Sequence, residues 1–184
     1  DQVVDRLRAA IAEGRRAYWV CPLVEESEVV AMTAAEDRFK HLRAALGDGN
    51  VGLVHGQMRP SEKDKAMADF IAGRTKVLVA TTVIEVGVDV ASATIIVIEQ
   101  AEHFGLAQLH QLRGRVGRGS EASTCLLLYS GRLGKSALAR LTIMRETNDG
   151  FRIAEEDLRL RGAGDLLGVA QSGLRSEERR VGKE

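Results

Sequence analysis

Five short, largely apolar runs constrain this chain more than any other feature: residues 17–21, 51–54, 76–80, 94–98 and 124–129. A strand wetted on one face alternates apolar and polar residues, whereas a continuous run of Val, Ile and Leu fits a strand covered on both faces. Stretches with helical spacing lie between the runs. Residues 2–13 place Val3, Leu7, Ala10 and Ile11 on one face, and Gly14 ends them. After the acidic turn Glu25-Glu26-Ser27-Glu28, a long stretch reaches Leu46, with Val29, Met32, Phe39, Leu42 and Leu46 as its inner residues. A third opens at Pro60-Ser61, turns Met67, Phe70 and Ile71 inward, and stops at Gly73. Strands alternating with helices predict an α/β fold, a parallel sheet with helices on both faces. With aromatic residues at only 4% of the chain, its core must be aliphatic.

In open parallel sheets, ligands bind at the carboxyl ends of the strands. His55-Gly56, Thr81-Thr82 and Glu99-Gln100 each follow a strand directly and should crowd one edge. Thr81 and Thr82 offer hydroxyls and amides to a phosphate, or equally cap the following turn. A lone histidine such as His55 is more often structural. Asp89, two residues after Gly87, suits a ribose or a local backbone cap, the cap being the commoner use. His41, His103 and His110 lack zinc-site spacing, and no nucleophile–base or carboxylate pair stands out, so no metal ligands are assigned.

Lys and Arg together number 26, as do Asp and Glu, so the net charge is zero. Any nucleic-acid contact must come from a local patch. Cys21 and Cys125 sit in apolar runs and read as buried free thiols, which fits a cytoplasmic location. No stretch approaches the roughly 18 apolar residues of a membrane span, and no signal peptide is visible. The chain begins at Asp1 and reads as a piece of a longer protein.

The local patch is residues 108–119, Gln-Leu-His-Gln-Leu-Arg-Gly-Arg-Val-Gly-Arg-Gly. Arg113, Arg115 and Arg118 alternate with glycines, with no acidic residue among them. Arginine is permanently charged and forks onto phosphate oxygens, while glycine lets a backbone or ligand approach closely. On composition alone such a cluster is usually a solvated face. The preceding Phe104, Leu106, Leu109 and Leu112 argue that it starts on a packed element. The sequence contains no Gly-x-x-x-x-Gly-Lys-Ser/Thr phosphate loop and no Asp-Glu pair after an apolar strand. Alone, then, the chain should not hydrolyse a nucleotide. Arginines without a phosphate cradle make sense as fingers inserted into a site built elsewhere, where such groups contribute roughly 10³–10⁵ in rate.

From Lys135 the pattern changes. Ala137, Leu138, Leu141, Ile143 and Met144 predict a helix, Asn148-Asp149-Gly150 a break, and residues 151–160 a second helix before a glycine-rich, polar end. The expected division is 1–131 as the α/β domain, 132–174 as a helical hairpin with its loop, and 175–184 as a frayed tail or a stretch foreign to the gene.

These residues carry a resemblance. Gln111-Leu-Arg-Gly-Arg-Val-Gly-Arg118 resembles helicase motif VI of superfamily 2, and residues 80–90 resemble motif V. The run from Glu102 to Gly119 is similar to the RecG family of bacterial fork-remodelling helicases, with a related run in the transcription-repair coupling translocase Mfd. Met144-Arg-Glu-Thr-Asn-Asp-Gly-Phe151 and Ala154-Glu-Glu-Asp-Leu-Arg-Leu-Arg-Gly-Ala-Gly-Asp-Leu-Leu-Gly168 tip the resemblance to RecG. It covers about residues 15–174. Residues 175–184 do not share it, and Val169-Ala170 stand where more polar residues are expected.

The resemblance implies a RecA-like second motor domain followed by a translocation hairpin. It also implies ATP with Mg²⁺ held mainly by a first RecA-like domain of the same protein, branched or forked double-stranded DNA as partner, and function as a monomer. By motif position, Arg115 and Arg118 would reach the ATP phosphates, with Gln111 in the same cleft. Gly87 and Asp89 would approach the nucleotide sugar or couple the cleft to DNA. His55, Thr81 and Thr82 would lie on the DNA side, and Arg161 and Gln171 would couple closure to movement. A domain of Mfd, or a non-catalytic binding module of the same shape, is the alternative.

Overall fold

A computed structural model of the chain describes residues 2–22, 28–81, 93–116 and 123–168, without the side chains of Glu28 and residues 161–168. Its elements are α1 (Gln2–Ala12), β1 (Arg16–Cys21), α2 (Glu28–Leu46), β2 (Val51–Val54), α3 (Pro60–Ala72), β3 (Val77–Thr81), β4 (Ala93–Ile98), α4 (Leu106–Arg113), β5 (Thr124–Leu127), α5 (Lys135–Glu146) and α6 (Gly150–Gly168). Short 3-10 turns at Asp48–Asn50 and Ala101–His103 precede β2 and α4.

The five strands form one sheet in the order β2-β3-β1-β4-β5, and every pair is parallel. The α/β class and all five strands expected from the aliphatic runs are therefore present. Residues of β3 and β4 are buried throughout, as two-sided cover requires. Alternate residues point to opposite faces. Ala17, Trp19, Cys21, Val77, Val79, Ile95 and Val97 join Val4, Leu7 and Ala10 of α1 and Ala35 and Leu42 of α2 in one core cluster. On the other face, Tyr18 meets Phe70 of α3, with ring centroids 5.0 Å apart. Helices thus cover both faces.

Local chemistry sets several ends. Gly73 ends α3 with φ 82 and ψ 11, and its N–H donates to Asp69 O and Phe70 O; a side chain there would be strained. Arg16 Nη1 donates to the carbonyls of Phe70 and Ile71, both at 2.8 Å, binding the start of β1 to the end of α3.

Three expectations need correction. Val29, expected inward, is 62% exposed, while Ala31 and Ala35, together with the expected Leu42, are the residues of α2 at zero exposure. Small side chains face the sheet because they let the helix backbone come close. Ile71 and Leu138, also expected inward, lie exposed at 39% and 54%. The glycine-rich stretch beginning at Arg161 is not a loop: α6 continues through it to Gly168.

The chain divides into two compact units, one of residues 1–104 with 111–132, the other of 105–110 with 133–184. In the second unit, α5 and α6 bury Leu141, Ile143, Met144 and Ile153. The turn between them is built by side chains: Asp149 N donates to Thr147 Oγ1 at 3.0 Å, and Phe151 N donates to Asp149 Oδ1 at 2.9 Å. Asp149 therefore satisfies a free N–H in the first turn of α6. Gly150 lies against His110, whose Nε2 would stand 3.3 Å from a Cβ at that position.

Candidate functional site

Parallel pairing aligns the carboxyl ends of the strands. Val54 pairs with Ala80, Cys21 with Thr81, Val20 with Ile98, and Ile98 with Leu127. His55 and Glu99 therefore follow strands along one edge, as expected, and Thr81, expected just after β3, is its last residue. The chain leaves β1 through α2 toward β2 on one side, and leaves β4 through α4 toward β5 on the other. Between β1 and β4 the strand order reverses, the point where open α/β sheets form ligand crevices.

That point is occupied by a side-chain cluster that the sequence did not disclose. Glu99 Oε1 accepts from Arg38 Nε at 2.9 Å and from Trp19 Nε1 at 2.8 Å, while Oε2 accepts from Arg38 Nη2 at 2.9 Å. Cys21 Sγ lies 3.8 Å from the same Oε1. The Arg38 guanidinium also lies over the Trp19 ring, 5.0 Å from its centroid, a favourable cation–π placement. Burial alone would raise the Glu99 pKa, but hydrogen bonds from Arg38 and Trp19 and the Arg38 charge outweigh it and hold the carboxyl below its ordinary value. Burial, then the Glu99 charge, pushes the Cys21 thiol up to about 12. Cys21 is thus a neutral packing residue. The partners of Glu99 lie 61 and 80 residues away in the chain, so no local spacing could reveal them. The one available signal was a carboxylate placed directly after the apolar run 95–98.

His55 is buried, at 7% exposure. Its Nδ1 accepts from Gln57 N at 3.2 Å, and its Nε2 lies 3.8 Å from Glu36 Oε2. The Nδ1 bond fixes the ring and leaves Nε2 to face Glu36. Thr81, also buried, ends β3.

Beyond Glu99, Gln100 adopts the left-handed conformation, with φ 51 and ψ 52. It is the one non-glycine residue with positive φ among the described residues. Ala101 N then donates to Leu128 O at 2.7 Å, and Ser130 N to Glu102 Oε2 at 3.4 Å, securing the segment to the end of β5. The chain passes buried Phe104 into α4, where Leu106 and Leu109 are buried and Gln111 is exposed. The arginines differ. Arg113 is half-buried and its positive charge opposes the effect of burial on Cys125 of β5, whose thiol is nonetheless raised to about 11. Arg115 is exposed, its N–H donating to Leu112 O at 3.0 Å, and the next residue, Val116, is buried. A packed residue on each side of a short turn thus presents Arg115 outward. A permanently charged fork in that setting suits a phosphate. Arg118, Gly87, Asp89, Thr82 and Gln171 lie outside the described residues; Arg161 lies within α6, its side chain outside them. Among the described residues no group of three or more His, Cys, Asp or Glu could hold a metal, and no helix is long and apolar enough to cross a membrane.

The chain is similar to known proteins in sequence and in fold. The helicase conserved C-terminal domain model matches residues 2–120, and the model of ATP-dependent DNA helicase RecG, domain 3, C-terminal matches residues 147–179. ATP-dependent DNA helicase RecG of Escherichia coli is 57% identical over 172 residues, 93% of this chain and 25% of that protein. RecG of Bacillus subtilis is 47% identical over 175 residues, 95% of this chain and 26% of that protein. The chain thus spans about a quarter of the length of these relatives. A solved structure of RecG bound to a three-way DNA junction superposes with a TM-score of 0.73 at 42% identity, over 94% of this chain and 22% of that one. Yeast Dbp5 bound to RNA and ADP BeF3 superposes with a TM-score of 0.54 at 17% identity, over 86% of this chain and 42% of that one, a likeness of fold alone. The chain belongs to the helicase conserved C-terminal domain family, and along most of its length it is similar to RecG.

Proposed function

We propose that this chain is the second motor domain of an ATP-dependent double-stranded-DNA translocase that remodels stalled forks and recombination intermediates. The observation that carries the reading is the exposed Arg115, held on a turn between helix α4 and buried Val116, in a domain whose sequence contains no phosphate loop. Such a domain completes a nucleotide site but does not make one. ATP with Mg²⁺ would lie against a first RecA-like domain of the same protein. When bound, ATP supplies the phosphoryl group whose transfer to water drives movement. Arg115 and Arg118 would neutralise charge on its phosphate oxygens, Gln111 would belong to the same cleft, and Gly87 and Asp89 would approach the sugar or couple the cleft to DNA. His55, Thr81, Thr82, Arg161 and Gln171 serve the DNA side, the latter two on the hairpin and its loop.

Residues 1–131 would form the motor domain and 132–174 the hairpin and loop, with 175–184 outside both. The DNA junction in the solved RecG complex supports branched double-stranded DNA as the partner. Matches to RecG across both segments favour this reading over Mfd. Function as a cytoplasmic monomer belongs to the same proposal.

In the complete protein, Arg118→Ala should remove DNA-stimulated ATP turnover, by roughly 10³-fold or more, while binding to a forked duplex stays within about twofold. Turnover at the unsubstituted rate would remove the finger role.

A further inference from the structure

We infer that Arg38 and Glu99 form a positioning clamp, which fixes the point where the chain leaves β4 for the arginine-bearing turn. The inference rests on the function proposed above. Glu99 sits where the strand order reverses, the place a ligand would occupy in a simpler sheet. Its carboxylate is instead taken up from within the chain: both Arg38 contacts at 2.9 Å, and Trp19 Nε1 at 2.8 Å. Arg38 is held in turn by its stacking on Trp19, a side chain only 1% exposed. The clamp therefore has one end in α2, one in β1 and one at the end of β4.

The residue after it is strained. Gln100 at φ 51 has a side chain where glycine is favoured, and such a conformation persists only where its surroundings dictate it. Glu99 N donating to Val20 O at 2.8 Å and Ala101 N donating to Leu128 O at 2.7 Å bracket Gln100 with β1 and the end of β5. The bidentate Arg38 pair holds the side chain of the same junction. From there the chain runs through the 3-10 turn and α4 to Arg115. A small rotation at Gln100 would change the course of everything that follows. Arg38 and Glu99 do not touch the nucleotide in this account; they set where Arg115 stands.

The test uses the complete protein with Arg38→Met, Arg38→Lys, Arg115→Ala and the Arg38→Met/Arg115→Ala pair, following DNA-stimulated ATP turnover. Arg38→Met keeps an unbranched side chain and removes the guanidinium from both Glu99 and the Trp19 ring. It should lower kcat about tenfold with KM for ATP within about twofold, the pattern expected when an interaction made only in the transition state is misplaced. Arg38→Lys, which can replace one of the two hydrogen bonds, should recover part of the loss. The double variant should turn over no more slowly than Arg115→Ala alone. Full turnover in both Arg38 variants, or a double variant slower by the product of the two single effects, would overturn the clamp while leaving the arginine role intact. Full turnover in Arg115→Ala would overturn the arginine role itself and the clamp with it.

Discussion

The central strands and the α5–α6 pair solve the same problem of burying apolar residues, with different completeness. In the sheet, Val77, Leu78, Val79 and Ala80 of β3 are at zero exposure. In the second unit, Phe151, Leu158 and Leu138 stand 86%, 72% and 54% exposed. Among the described residues, the sheet is a finished core and the helical pair a partly finished one. Marginal stability of a domain rests on buried apolar area, so equal truncations in the two regions should have unequal effects.

The largest expected effect is at Leu78. Leu78→Ala leaves a cavity inside a two-sided sheet and should cost about 2–5 kcal/mol, read from urea unfolding of this chain. Leu158→Ala removes the same atoms from an exposed position and should cost no more than about 0.5 kcal/mol. Equal costs would mean that α6 is covered to the same degree as β3, and the comparison would fail.

Glu99 sharpens the contrast between the finished core and its polar edge. Its carboxyl is held below the ordinary value of 4.5, so its stabilising effect is fully present above that pH and is lost as pH falls through the lower folded-state value. Glu99→Gln should destabilise the chain by about 1 kcal/mol at pH 7, less than a fully buried charged hydrogen bond because the site is partly wetted. The gap should narrow as pH falls below 4.5. A gap independent of pH would show that the amide loses shape and not charge.

How far the sequence could lead follows from the same residues. The strands were legible because two-sided burial leaves little room for polar residues, so runs such as Val77 to Ala80 advertise themselves. Helix faces were less so: α2 turns Ala31 and Ala35 inward and leaves Val29 and Val30 in solvent, and no hydrophobicity rule favours alanine over valine for burial. Glycines at 162 and 164 suggested a loop, yet α6 runs through them to Gly168. The helix runs on there despite a propensity cost of about 1 kcal/mol per glycine. At the site, Arg115 was legible as a fork beside glycines, and Glu99 as a strand-end residue. Arg38 and Trp19 were not, because their meeting with Glu99 depends on the register of β1 against β4. The αL geometry of Gln100 was equally hidden, since glutamine gives no signal for it.

The central claim is that the arginine turn completes a nucleotide site and does not build one. Its most direct test is steady-state ATP turnover by this chain alone, with and without forked duplex DNA, beside the complete protein. The account predicts no turnover above the buffer rate for the chain alone, at any DNA concentration, while the complete protein is stimulated by the same DNA. DNA-stimulated turnover by the isolated chain would contradict it.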